Sequence, residues 1–181
     1  MLGAAILMMT ALAAEAESRP VVFAEESYTR TAARGSHIFT RAMLDQHNRA
    51  RAEHGLPPLR WNPALAEAAR AYAAELAAAG AFEHSEDDGD DPQGENLWMG
   101  TREAYGFDEM VAHWVSEKAN FRRDAPNMSA TGDLSDVGHY TQIVWKDTRE
   151  VGCGVASDAA DDYLVCRYYP AGNVEGEDPL N

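Results

Sequence analysis

Cationic residues and cysteines are both scarce in this sequence of 181 residues, and each shortage excludes a class of protein. Lys and Arg total 15 against 30 Asp and Glu, so the formal net charge is −15 at pH 7. Because phosphate backbones are anionic, this charge argues against nucleic acid as a partner and against a purely electrostatic grip on anionic lipid. With only 2 cysteines, the chain has too few for a disulfide scaffold, so a hydrophobic core must hold the fold.

Long apolar runs are missing except at the N-terminus, so an integral membrane protein is not expected. The run at 2–14 is shorter than the roughly 20 residues that span a bilayer. It ends in Ala-Glu-Ala, a small-x-small pattern typical of signal-peptidase sites. We therefore predict a secretory signal peptide at 1–16, with a retained N-terminal anchor as the alternative. Residues 17–36 are interpreted as a leader, and 37–181 as a single domain.

Three stretches predict helices, at 38–54, 62–80 and 108–122, from their apolar periodicity and alanine content. In the second stretch, Asn62 is a residue type that caps helix N-termini, and Gly80 is typical of a helix end. These signals make the second helix the clearest element in the sequence.

The C-terminal third is rich in β-branched and aromatic residues, which predict strands at 139–146, 151–157 and 163–169. The short connections between them indicate an antiparallel meander. In the first of these strands, alternation would leave His139 at the strand entrance on the same face as Trp145. Helices followed by antiparallel strands predict an α+β fold, with the helices packed on the sheet.

The two cysteines, Cys153 and Cys166, fall on adjacent predicted strands. In an exported protein, an even cysteine count indicates a disulfide, and we expect these two residues to form it. If the chain stays in the cytosol, two buried free thiols are the alternative.

A run of acidic residues at 86–91 interrupts the region between the second and third predicted helices. A calcium loop needs a register of alternating oxygen ligands followed by a distant Glu, and this run does not have it. A solvated loop is the better interpretation, and its role, including any role as a lid, is left open.

Four stretches, in order, resemble the signature segments of the CAP superfamily, which includes cysteine-rich secretory proteins, venom allergens and pathogenesis-related class 1 proteins. The stretches are "HNRAR" (47–51), "GENLW" (94–98), "GHYTQIVW" (138–145) and "YLVCRYYPAGN" (163–173). The resemblance implies a three-layer α-β-α sandwich with a central, mainly antiparallel sheet, and a secreted or periplasmic location. The cysteine-rich extra domain of some relatives is missing, so functions tied to that domain are not expected.

The resemblance also implies a cleft lined by two His and two Glu. In this sequence these are His84, Glu95, Glu117 and His139, and the cleft could hold a weakly bound divalent metal such as zinc. Two imidazoles would leave coordination positions for water. The alternative is a buried hydrogen-bond network, in which each Glu pairs with a His because an unpaired buried carboxylate is very costly.

Two further histidines, His113 and His47, are also candidates for a structural or a functional role. His113 precedes Glu117 by four residues on the predicted helix, so it is either another cleft member or, as we favour, part of a local exposed pair. His47 and Arg51 belong to the "HNRAR" segment, where they are interpreted as a structural tie between the first helix and its neighbours.

The function expected from the resemblance is a secreted, non-enzymatic protein. It would bind a small hydrophobic ligand, such as a sterol or fatty acid, or an extracellular partner. The alternative is a metal-dependent hydrolase of peptide or cell-wall material, with Glu95 and Glu117 as the candidate catalytic residues. No nucleophile turn of the G-x-S-x-G type supports a serine hydrolase.

Overall fold

Helices pack on both faces of one mainly antiparallel sheet in the computed structural model, which describes residues 22–23, 36–86 and 92–181. The helices are α1 (Ser36–Ala52), α2 (Pro63–Ala79), α3 (Phe107–Ser116) and α4 (Gly138–Ile143). The strands are β1 (Val22–Phe23), β2 (Arg60–Trp61), β3 (Gly94–Thr101), β4 (Glu150–Ser157) and β5 (Asp161–Tyr169). The α+β class is confirmed. The predicted signal peptide, most of the leader and residues 87–91 of the acidic run lie outside the described residues.

The sheet is built around the antiparallel hairpin of β4 and β5, with the strand order β1-β4-β5-β3. Strand β3 is antiparallel to β5, and β2 pairs in parallel with the first residues of β4. Strand β1 pairs with the last residues of β4 along the same edge. A two-residue segment of the predicted leader therefore adds to the sheet.

Among the described elements, helix α2 is the one that covers the first face of the sheet. The Asn62 side chain accepts hydrogen bonds from the first turn, and Gly80 ends the helix at a φ of 61°, as predicted. The alanine face of α2 lies against β4 at Gly152 and Gly154, where any Cβ would overlap the main chain of the helix. This close approach explains why small residues alternate with larger ones in that strand. The buried residues on this face are Ala69, Ala73, Leu76, Ala77, Leu97, Ala156, Tyr163 and Val165.

Helices α1, α3 and α4 form the third layer on the opposite face and enclose the larger core. Its buried side chains include Met43, Met110, Trp114, Tyr140, Ile143, Leu164 and Tyr168. None of the helices within the described ranges is long and apolar enough to cross a membrane. The helix–sheet–helix layering agrees with the predicted sandwich.

The predicted disulfide joins Cys153 of β4 to Cys166 of β5. The two residues are directly opposite each other in the strand register, with their Cα atoms 4.0 Å apart. Closing a loop of this size contributes about 3 kcal/mol in the chain-entropy model.

The prediction of a strand at 139–146 is wrong, because "GHYTQI" forms helix α4 instead. Successive residues from Tyr140 to Trp145 are all buried, so the apparent alternation of faces has no counterpart in the structure. The peptide groups find partners without a strand ladder. The Glu117 carboxylate accepts the N–H groups of His139 and Tyr140. Tertiary hydrogen bonds thus override the β propensity of this stretch.

The expected three-stranded meander is also wrong. The first of its three predicted strands is helix α4, and β5 pairs with the third long strand of the sheet, β3. This strand contains "GENLW", a stretch that was not predicted to be regular structure. The third predicted helix is shorter than expected: α3 ends at Ser116, and Glu117–Ala119 continue as a 3-10 turn. Glu117 consequently lies at the end of α3, where its side chain can reach the start of α4.

Candidate functional site

His139 and Glu117 form a closely bonded pair at the start of α4. The Nδ1–H group of His139 donates to Glu117 Oε1 across 2.5 Å. Glu117 Oε2 accepts the main-chain N–H groups of His139 and Tyr140, at 2.9 Å and 3.0 Å. One carboxylate therefore fixes the histidine ring and satisfies two N–H groups of a helix N-terminus, which otherwise lack intrahelical partners.

The imidazole of His139 is also held from the side. It stacks on the indole of Trp114, with ring centroids 5.8 Å apart and an angle of 15° between the planes. Trp114 is buried, and its indole N–H donates to the Leu97 carbonyl of β3 across 3.0 Å. The His139 side chain nevertheless keeps 31% of its surface exposed. Its orientation is thus fixed while part of the ring remains accessible.

His84 and Glu95 form the second pair, which is held largely by side chains. His84 Nδ1–H donates to Glu95 Oε1 across 2.8 Å, and the Ser85 main-chain N–H donates to the same oxygen across 3.0 Å. The Ser85 hydroxyl donates to Glu95 Oε2 across 2.9 Å. The Glu95 side chain is 7% exposed and the His84 side chain 63% exposed. A buried carboxylate here supports a histidine that stands mostly in solvent.

Arg167 completes this second pair from the neighbouring strand. It is directly opposite Glu95 in the register of β3 and β5, and its Nη2 lies 3.2 Å from Glu95 Oε2. The same nitrogen donates to the Ser85 hydroxyl across 3.0 Å, and the guanidinium lies over the Tyr72 ring. Arg167 Nε is buried and has no hydrogen-bond acceptor within the part of the chain that the structure describes.

The pKa shifts of the second pair reflect its hydrogen bonds. The bond to Glu95 raises the pKa of His84, and burial opposes this rise. Burial alone would raise the pKa of Glu95, but the hydrogen bonds from His84 and Ser85, together with the Arg167 charge, lower it. Glu95 is therefore an ionised acceptor at neutral pH.

Strand β3 lies between the two pairs. Glu95 emerges on the face covered by α2, whereas Asn96 emerges on the opposite face and donates to the His139 carbonyl across 3.1 Å. Across residues 22–23, 36–86 and 92–181, no three or more His, Cys, Asp or Glu side chains are grouped closely enough to hold a metal ion. The predicted quartet is therefore two His–Glu pairs on either side of β3.

Two of the other histidines, His113 and His47, are used structurally. The Trp98 indole N–H donates to His113 Nδ1 across 3.3 Å, so His113 is bonded to β3. His47 is fully buried, as is Arg51, which donates to four main-chain carbonyls, of Pro57, Ile143, Trp145 and Thr148. The interpretation of "HNRAR" as a structural tie is confirmed.

Comparison with known proteins identifies the family of this chain. The profile of the "Cysteine-rich secretory protein family" (CAP) matches residues 44–168. The chain belongs to the CAP family. Pathogenesis-related protein 1C of Nicotiana tabacum is 39% identical over 137 residues, which cover 75% of this chain and 77% of the relative. The human Golgi-associated plant pathogenesis-related protein 1 is 36% identical over 143 residues, or 78% and 89% of the two chains.

Other CAP proteins extend the comparison. Secreted protein RBT4 of Candida albicans is 38% identical over 144 residues, but the match covers 78% of this chain and only 37% of the relative. Among solved structures, that of NaASP2 with Zn²⁺ superposes with a TM-score of 0.65 at 23% identity. The superposition covers 80% of this chain and 85% of NaASP2. This similarity shows the CAP fold, and agrees with the layered architecture described above.

Sequence reasoning missed several residues that support the CAP cleft. Ser85 adjoins His84 and binds Glu95 through both its main-chain N–H and its hydroxyl, which the sequence alone does not indicate. Arg167 could have been found only after β3 was recognised, because its pairing with Glu95 is a matter of strand register. Trp114 falls within the third predicted helix, where an aromatic residue is more simply interpreted as part of the core.

Proposed function

We propose that this CAP protein is a non-enzymatic extracellular binding protein, in which His84 and His139 present their Nε2 atoms to a divalent cation. The observation that carries the proposal is that both histidines donate Nδ1–H to a carboxylate. Metal-bound histidines commonly have this arrangement, because a carboxylate on one ring nitrogen fixes the tautomer and makes the other a better ligand. The donor chemistry of the two pairs therefore fits zinc.

The hydrogen bonds of the two carboxylates favour binding over hydrolysis. Both oxygens of Glu117 and both oxygens of Glu95 accept hydrogen bonds. The donors are six N–H or O–H groups, in addition to the contact of Glu95 with Arg167. These are the roles of a residue that orients a neighbour. A general base must instead reach the proton it removes. We therefore assign Glu95 and Glu117 to positioning the two histidines.

A bound cation would be exchangeable, since two imidazoles leave its remaining positions to water. Such an ion would supply a positive charge and a polarised water at the cleft. Glu95 and Glu117 would keep their hydrogen bonds to the Nδ1 atoms of His84 and His139.

A groove on the same domain favours a hydrophobic ligand, such as a fatty acid or sterol, as a second candidate function. It has a volume of about 670 Å³ and lies between the segments 123–134 and 173–178. Leu134 and Val174 line it, and both are exposed apolar side chains. Pockets of a few hundred Å³ with apolar walls are typical of small-molecule sites. Its rim is charged, so a ligand with a polar end fits best.

The extracellular location rests on two observations. The chain carries a disulfide, which persists in oxidising compartments, and a relative is named as a secreted protein. The predicted signal peptide at 1–16 agrees with this proposal.

The cation proposal is tested by isothermal titration of ZnCl₂ into chelator-treated protein. We expect saturable binding in the micromolar range or weaker. His84→Ala and His139→Ala should each reduce the affinity at least tenfold, on the order of the loss of one ligand. His113→Ala is the matched control, because it removes a histidine of the same domain that lies in neither pair. Absence of binding to the unaltered protein would reduce the two pairs to a hydrogen-bond network.

The ligand proposal is tested by titrating a fluorescent fatty acid and a fluorescent sterol. Leu134→Glu should abolish saturable binding to the groove. Phe82→Glu is its control, because Phe82 is exposed and apolar but does not line the groove. Equal binding by both variants contradicts the assignment of the ligand to this groove. Zinc-dependent cleavage of peptide or cell-wall material that is lost in His139→Ala would instead favour a hydrolase.

A further inference from the structure

A buried chain of hydrogen bonds runs from α1 to the carbonyl of His139. His47 Nδ1 lies 2.7 Å from the Met43 carbonyl, and His47 Nε2 lies 2.7 Å from the Tyr168 hydroxyl. Asn96 then connects the same hydroxyl to the His139 carbonyl, with both contacts at 3.1 Å. His47, Tyr168 and Asn96 are all fully or almost fully buried.

The donor and the acceptor of each hydrogen bond in this chain can be assigned unambiguously. A carbonyl cannot donate, so His47 carries its proton on Nδ1 and donates it to Met43. Its Nε2 is then an acceptor, and the Tyr168 hydroxyl must donate to it. The hydroxyl oxygen in turn accepts from the Asn96 amide, whose second N–H serves His139. The three bonds from Asn96 through Tyr168 and His47 to Met43 run in one direction, so these groups reinforce one another, while Asn96 donates its other N–H the opposite way, to the His139 carbonyl.

The chain ends on the residue that presents a ring to the cleft. The His139 carbonyl belongs to the first turn of α4, the same turn whose N–H groups are bound by Glu117. Trp114 runs beside the chain, because its indole contacts the rings of both His47 and His139. His139 is therefore held through its side chain and its N–H by Glu117, and through its carbonyl by Asn96 of β3.

We infer that Tyr168, oriented by His47 and acting through Asn96, is a positioning residue for His139. The hydroxyl contacts neither Glu117 nor the imidazole of His139, so its effect on the cleft must pass through the amide of Asn96. The inference rests on the proposed role of His139 as a cation ligand, but its structural half can be measured without any cation.

The test compares Tyr168→Phe with Tyr163→Phe, each of which removes one hydroxyl from a buried tyrosine of β5. The Tyr163 hydroxyl donates to Asp158, in the hairpin turn, and takes no part in the chain. In metal-free protein, Tyr168→Phe should speed amide hydrogen exchange at His139 and Tyr140 by about tenfold relative to Tyr163→Phe, once global stability is matched with urea. Zinc affinity should fall by about tenfold in Tyr168→Phe only.

A second pair of variants keeps the inference testable if Tyr168→Phe does not fold. His47→Gln retains an acceptor for the hydroxyl and a donor for Met43, whereas His47→Leu retains neither. We expect His47→Leu to reproduce the fast exchange at His139 and His47→Gln to restore slow exchange. Equal exchange at His139 in all variants overturns the inference. Fast exchange in a protein that binds no zinc supports the positioning role and overturns only the proposed function.

Discussion

The two His–Glu pairs have the same chemistry but are supported in opposite ways. Glu117 binds two main-chain N–H groups, and its histidine stacks on a buried indole and belongs to a helix. Glu95 is held mainly by Ser85 and Arg167, and its histidine is 63% exposed in a loop. The His139 ring thus packs against the core, whereas the His84 ring stands mostly in solvent although its carboxylate partner, Glu95, is a residue of the sheet with a buried side chain.

This difference indicates a division of labour between the pairs. A rigid residue sets the position of a bound ligand, and a more exposed one can adjust to it or leave when the ligand leaves. We therefore expect changes in the His139 pair to affect both folding and binding. Changes in the His84 pair should mostly affect binding.

Removal of the two carboxylates is the strongest test of this comparison. Glu117→Ala leaves two N–H groups of a buried helix start without an acceptor, and we expect it to lower the free energy of unfolding by about 4 kcal/mol. Glu95→Ala should cost about 2 kcal/mol, because His84 can turn to water. Urea unfolding measures both values. If the two costs are equal, the contrast between the pairs is wrong.

Low pH should lower the stability of the protein through His47, which is buried behind His139. Burial, with a smaller contribution from the Arg51 charge, lowers the pKa of His47 to about 4. In the unfolded chain His47 takes up a proton near pH 6.5, so stability is full above that pH and falls as the pH drops towards 4. The shift corresponds to a loss of about 3 kcal/mol, measured by urea unfolding at pH 7, 5.5 and 4.

His47→Gln is the control for this pH dependence, because glutamine does not titrate. Its stability should change less than that of the unaltered protein between pH 7 and 4, by roughly the amount assigned to His47. An identical pH dependence in both proteins would show that other groups cause the loss.

Removal of the Ser85 hydroxyl distinguishes the contribution of the His84 pair to zinc affinity from its contribution to stability. Ser85→Ala removes one hydrogen bond to Glu95 and one from Arg167 but keeps the main-chain N–H contact. We expect a stability loss of about 1 kcal/mol and a fall in zinc affinity of about tenfold. Ser116→Ala is the control, since that hydroxyl bonds only its own helix. A large stability loss in Ser85→Ala would place the His84 pair in the core after all.

His113→Ala should have the smallest effect, because within residues 36–86 and 92–181 no carboxylate forms an ion pair with this histidine. It accepts one hydrogen bond from Trp98, at the surface of β3. We expect a loss of about 0.5 kcal/mol in thermal or urea unfolding, with unchanged zinc affinity. Weakened zinc binding would make His113 a fifth member of the cleft.

The parts of the fold that local signals determine could be predicted from the sequence. Asn62 and Gly80 bound α2 because capping depends on nearby residues, and the cysteines face each other because both lie in clear β-rich runs. Strand β3 was missed because its pattern of buried residues, with Gly94 and Asn96 facing the core, does not alternate between apolar and polar. Helix α4 was missed because distant groups, on Glu117 and Arg51, supply its hydrogen bonds.

The site could be predicted only as a set of four residues. The resemblance to the CAP family supplied His84, Glu95, Glu117 and His139, and the structure pairs them as the hydrogen-bond alternative required. Local spacing carries no information about the Arg167 contact or the stacking of Trp114, because both depend on how strands and helices meet in space.

The buried guanidinium of Arg51 has a consequence for the order in which this protein folds. It binds the carbonyls of Ile143, Trp145 and Thr148, which are separated from it by 92, 94 and 97 residues along the chain. Contacts between such distant segments close large loops and tend to form late. These three carbonyls therefore have their hydrogen-bond donor in place only once α1 has docked. A cation that binds through His139 would accordingly bind to the folded protein and would not initiate its folding.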